Sequence, residues 1–134
     1  MASKVVEDAV DAYLAAHWSS CPIFTDNQQG SVPDDGSAFV IVQFPVANVD
    51  RMSPSSRLYR EEGGFRIVIN VERGAGTSKI RDYGSQLAAI FRDVTISNVV
   101  NCLVPTEVFT DDQSDKGLYF TGTVVVPYNY TFHE

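Results

Sequence analysis

Phe65-Arg66-Ile67-Val68-Ile69-Asn70-Val71-Glu72 decides the fold. Phe65, Ile67, Ile69 and Val71 fall on one side of an extended chain, with Arg66, Asn70 and Glu72 on the other, the two-residue period of a strand with one face in a core. The strand begins near Leu58, and Gly63-Gly64 inside it marks a bulge. Upstream, Phe39-Val40-Ile41-Val42-Gln43-Phe44 is apolar in both phases, which predicts a central strand covered on two faces. Between the two runs the pattern is lost over residues 45–57, where Asn48, Asp50, Ser53, Pro54, Ser55 and Ser56 predict a loop longer than ordinary connections.

Downstream, Gly74-Ala75-Gly76 ends the strand and Thr77 or Ser78 caps a helix over 78–92, in which Ile80, Tyr83, Leu87, Ile90 and Phe91 step by three and four. The last third reads as a hairpin, with residues 99–110 and 118–131 as its limbs and the polar run 111–117 as its loop. In its second limb Leu118, Phe120, Val124, Val126, Tyr128 and Tyr130 share one face, committed to the core. At the other end Val6, Val10, Tyr13, Leu14 and His17 predict a helix over 4–16. Pro22 stops it, and Ile23-Phe24-Thr25 reads as a short strand before the turn residues Asp26, Asn27 and Gly30 and the turn Pro33-Asp34-Asp35-Gly36. The expected fold is α+β: a single, mostly antiparallel (mixed) sheet of about five strands with two helices packed on it, in one domain over residues 1–134.

Composition agrees with one core. The chain has 134 residues, 44% of them hydrophobic, enough to bury a core and to exclude disorder. Ten basic against seventeen acidic residues give −7, which argues against a grip on nucleic-acid phosphates or an anionic membrane. Cys21 and Cys102 are too few for a disulfide scaffold and form no Cys-x-x-Cys pair; they read as small buried hydrophobes, with a pairing between them left open. Lys4, Glu7, Asp8 and Asp11 interrupt the first fourteen residues, so no signal peptide is expected, and no run approaches the about 20 apolar residues of a membrane span. The expected site of synthesis and use is the cytoplasm, or a larger assembly built there.

No catalytic constellation stands out. Gly74-Ala75-Gly76-Thr77-Ser78-Lys79 places glycines before a helix, as an anion site would, but Lys79 stands where the third glycine of a dinucleotide fingerprint belongs and the Gly-Lys-Ser/Thr of a P-loop is missing. Asp111, Asp112, Asp115 and Gly117 resemble a calcium loop whose glycine falls one place late and which lacks its closing glutamate. His17 reads as a partly buried packing residue and His133 as a terminal one, too few for a metal centre. Glu61-Glu62 and Asp34-Asp35 read as solvated charge, and the sequon Asn129-Tyr130-Thr131 as chance. No enzyme, metal or cofactor is expected.

Several stretches together resemble the tail terminator proteins of long-tailed bacteriophages. They are Val6-Glu7-Asp8-Ala9-Val10 with Ala12-Tyr13-Leu14 and Trp18, Pro22-Ile23-Phe24 with Asp26-Asn27, and Pro33 followed by Gly36-Ser37-Ala38-Phe39-Val40. The strand from Gly64 to Val71 with its Gly74-Ala75-Gly76 turn, and the ending Val124-Val125-Val126-Pro127-Tyr128, complete the likeness. The resemblance implies a virion protein at the head–tail junction. It would form a ring of six copies on the last ring of tail tube protein, stop tube polymerisation and offer a surface to the head-completion or stopper protein. DNA would pass through the ring without sequence-specific binding, and the family brings no catalytic residues.

Interface candidates come from the residues themselves. Arg51, Met52 and Arg57 lie in the 45–57 loop, where methionine and arginine suit a contact that orders on assembly with a neighbouring subunit or the tube. Asp111, Asp112 and Asp115 at the hairpin tip would orient docking against a basic surface. Two rival readings are a head-closure or tail-completion adaptor and a small cytoplasmic enzyme or ligand-binding domain.

Overall fold

The computed structural model describes residues 3–25, 38–52, 54, 57–72, 78–110 and 119–133. In chain order these form α1 (Lys4–His17), β1 (Ile23–Thr25), β2 (Phe39–Arg51), β3 (Leu58–Glu72), α2 (Ser78–Phe91), β4 (Thr95–Ile96), β5 (Val100–Cys102), β6 (Phe109–Thr110) and β7 (Tyr119–His133). The sheet runs β1-β2-β3-β7-β5-β4, with β6 also on β7; only β1 and β2 are parallel.

The apolar alternation of the strands explains where the helices sit. Phe65, Ile67, Ile69 and Val71 of β3, Val124, Val126 and Tyr128 of β7, and Val40, Val42 and Phe44 of β2 bury one face. Val6, Val10 and Leu14 of α1 and Ile80, Leu87 and Phe91 of α2 close the core against it. Phe65 is its hub, with ring centroids 5.1 Å from Phe91, 5.8 Å from Phe44 and 6.2 Å from Tyr128. The helices meet through Trp18 and Tyr83, edge to face at 5.2 Å, and through Tyr13 and Phe91 at 5.6 Å. Gly84 of α2 allows a close approach: a Cβ there would lie 2.6 Å from Val108 Cβ.

The sheet has seven strands instead of about five, for two reasons. After α2 the chain folds β4 back on β5 through Ser97 and Asn98, both left-handed at φ 53° and 60°, with the Val99 N–H donating to Ile96 O. The expected limb over 99–110 is also broken, because Pro105 lacks an N–H and residues 103–108 leave the ladder between β5 and β6. The chain stays beside β7 through the Leu103 N–H on Pro127 O and the Thr106 N–H on Val125 O, both 2.9 Å.

The expected loop over 45–57 is largely strand. β2 continues to Arg51 opposite Tyr59, and the Met52 N–H donates to Leu58 O at 2.8 Å. The register shifts between Gln43, opposite Arg66, and Val46, opposite Gly64. One extra residue is absorbed there, at Pro45, the residue that cannot donate to a ladder. The bulge therefore lies in β2 and not at Gly63-Gly64, which pair regularly with Tyr128 and Pro127. β2 is interior as expected, but both helices cover the same face of it. On the other face Phe39 is buried against Phe24, with ring centroids 5.7 Å apart, while Ile41 is only half-buried.

Candidate functional site

Strand and helix lengths set up the most exposed apolar surface. At about 3.3 Å per residue the fifteen residues of β3 and of β7 each span roughly 50 Å, whereas a fourteen-residue helix covers about 21 Å. The start of α1 is fixed at Glu61: the Ser3 N–H donates to Glu61 Oε2 at 3.3 Å. Beyond that point β2, β3 and β7 continue as a three-stranded arm, in the register Val49↔Glu61, Arg51↔Tyr59 and Tyr59↔Phe132.

Paired residues share a face, so Val49, Arg51, Tyr59, Tyr130 and Phe132 prolong the core side of the sheet into the arm. Tyr59 and Phe132 stack at 5.5 Å, and Tyr130 and Phe132 at 5.3 Å. Val49 is 52% exposed and Met52 49%. Between the arm and the start of α1 lies an open groove of about 370 Å³, lined by Ser3, Lys4, Val5, Tyr130, Phe132 and His133.

Glu61 is the residue that reading the sequence missed. It is 2% exposed, not solvated, and accepts a 2.7 Å hydrogen bond from the Tyr128 hydroxyl. Burial and the Glu61 carboxylate push the Tyr128 phenol far above its ordinary value. Glu62 does face outward, 3.0 Å from Arg60 Nε. The alternation could have found Glu61, since it is in phase with Phe65 and Ile67.

Of the interface candidates, Arg51, Met52 and Arg57 are brought together at the tip of the arm and are exposed, Arg51 as the last residue of a strand instead of a member of a long loop. Asp111, Asp112 and Asp115 lie outside the described residues, as do the Asp34-Asp35 pair, Gly117 and the glycine turn over 74–76. His17 is exposed and not partly buried; its ring stacks on Tyr13 at 4.1 Å because the helix stripe ends at Leu14. His133 still pairs with Leu58. Cys21 and Cys102 are both free thiols, Cys102 buried and pushed up to about 11 by that burial. Asn129 of the sequon is held in a row across the sheet, accepting from Asn101 Nδ2 at 3.0 Å. Among the described residues no cluster of His, Cys, Asp and Glu could hold a metal ion, and no helix is long and apolar enough to cross a membrane.

A solved structure superposes with a TM-score of 0.62 at 18% identity, covering 96% of this chain and 97% of that one, and so shares the fold. No protein of curated function matches the sequence. The family model described as "Phage tail terminator protein" matches residues 5–128, which takes in both helices and the sheet as far as Tyr128. The chain therefore belongs to the phage tail terminator family, a family of structural proteins of the bacteriophage tail.

Proposed function

We propose that this chain forms a ring, of six copies, that caps the tail tube, ends its polymerisation and provides the surface to which the head is joined. The family match over residues 5–128 carries the reading. The exposed apolar residues Val49 and Met52 of the arm support it, because a protein that works by assembly needs surface of this kind and a monomer has no use for it. In this reading Arg51, Met52 and Arg57 contact a neighbouring subunit or the tube. Asp111, Asp112 and Asp115 face a basic surface of the head-completion protein, and DNA passes through the ring.

Electron microscopy of particles assembled without the protein tests the reading. Overlong or irregular tails are expected. Normal tails detached from leaking heads would overturn it in favour of a neck adaptor. Neutralising Asp111, Asp112 and Asp115 should slow head-to-tail joining in a salt-sensitive way, and joining that is unchanged at low salt removes the acidic tip from the account.

A further inference from the structure

We infer that neighbouring copies join edge to edge at the arm, the open edge of β7 in one copy pairing with the open edge of β2 in the next, so that the two sheets run on as one. The inference rests on the ring reading and deepens it, by naming the contact that closes the ring.

Backbone pairing leaves the arm bare on both sides. β1 pairs with β2 only as far as Val42, and among the described residues no strand follows it along that side of β2. The Met52 N–H donates to Leu58 O, so the even residues before it turn their backbone to β3, while Ala47 and Val49 turn theirs outward. On the other flank β5 stops opposite Tyr130, and the Val99 N–H goes to Ile96 O. The carbonyls of Val125 and Pro127 point away from β3, to Thr106 and Leu103, and by the same alternation Thr131 and His133 point away as well. Asn48, Val49, Asp50, Thr131 and His133 are all exposed. A bare edge is recognised by an extended backbone, and proteins ordinarily cover or blunt it.

Register selects the occupant. β2 and β7 both run antiparallel to β3 and are therefore parallel to each other, so a rotation about an axis along the strands sets β7 of one copy beside β2 of the next in the sense of a parallel pair. With Thr131 opposite Asn48 of the next copy, the Thr131 N–H meets Ala47 O, the Val49 N–H meets Thr131 O and the His133 N–H meets Val49 O. The same register sets Phe132 against Val49 on the core side of the sheet and His133 against Asp50 on the other side. Apolar then meets apolar and polar meets polar, whereas a slip of one residue would set Phe132 against Asn48 or Asp50. Two different edges meet, so the contact is head-to-tail, the kind that closes into a ring when the rotation between neighbours allows it.

Val49→Pro removes a hydrogen that faces water within one copy and a carbonyl only between copies, so the fold should tolerate it as edge strands tolerate proline. Sedimented over a concentration series, alone and with tail tube protein, the unaltered chain is expected to form a closed oligomer and Val49→Pro to associate about tenfold more weakly. A second variant, Asn48→Cys with Thr131→Cys in a Cys21→Ser chain, should give on mild oxidation a ladder of disulfide-linked copies that ends at the ring. Within one copy Asn48 is level with Asn129, two strands away, so those two positions lie about 10 Å or more apart, beyond the reach of a disulfide. Should Val49→Pro melt early, the disulfide ladder decides. No ladder, or a Val49→Pro chain that folds and associates like the unaltered one, overturns the edge contact, and the ring reading survives if rings still form. An unaltered chain that stays single at every concentration, on tube protein as well, overturns both.

Discussion

Glu61 shows how much a single side chain can organise. Its carboxylate holds the Tyr128 hydroxyl and the Ser3 N–H, so it joins β3, β7 and the start of α1 at one buried point. Tyr128→Phe leaves that carboxylate buried with one partner, and should cost about 1–3 kcal/mol in urea denaturation. The raised phenol also makes stability fall as pH rises above about 10, where the unfolded tyrosine releases its proton and the folded one does not; Tyr128→Phe should remove that decline. Asp11 behaves alike at lower pH. Burial first, and then Glu7 and Asp8, push its carboxyl up from 3.8 to about 6, with Oδ1 lacking a partner among the described residues. Between those values the folded protein keeps a proton that the unfolded chain gives up, so stability falls as pH rises through the window and is level above it. Asp11→Asn should stabilise by about 1 kcal/mol at pH 7.5, allowing for screening of a half-exposed group, and by nothing near pH 3.5. An equal gain at both pH values would point to some cause other than charge.

At the scale of elements, helix α2 depends on having no side chain at Gly84. Alanine is ordinarily the better helix former by about 1 kcal/mol, but here its methyl would meet the stiff Val108 at 2.6 Å. Gly84→Ala should therefore destabilise by about 1–3 kcal/mol, and Val108→Ala in the same chain should recover most of that loss in a double-mutant cycle. Gly84→Ala alone raising the melting temperature would show that residues 103–108 yield freely. The extents of α1, β1 and α2 were legible because their apolar period runs without interruption and ends in a proline or a change of phase. β2 was not legible beyond Phe44: the bulge at Pro45 shifts the phase by one, so Val49 and Arg51 take the side that Val40 and Val42 hold before it. The broken partner of β7 was hidden for a related reason. Its apolar residues Val99, Val104 and Phe109 are exposed, so hydrophobicity there marked surface and not strand.

For the whole molecule, part of the candidate site could be read in advance and part could not. Arg51, Met52 and Arg57 stood out as residue types suited to a contact. Tyr59 and Phe132 did not, because they lie 73 positions apart and meet only through the β3–β7 register. That register has a further effect, on the timing of folding. β7, the last strand in chain order, lies between β3 and β5, and its fifteen pairings with β3 join residues separated by 47 to 75 positions. Contacts so distant along the chain form late and slowly. While a ribosome is still making residues 119–133, β3 has β2 on one side and an open edge on the other, a state prone to pair with the wrong strand. A member of a tail-terminator family thus passes through a stage in which it could itself polymerise, and chaperone demand during synthesis should fall sharply once residue 133 has emerged.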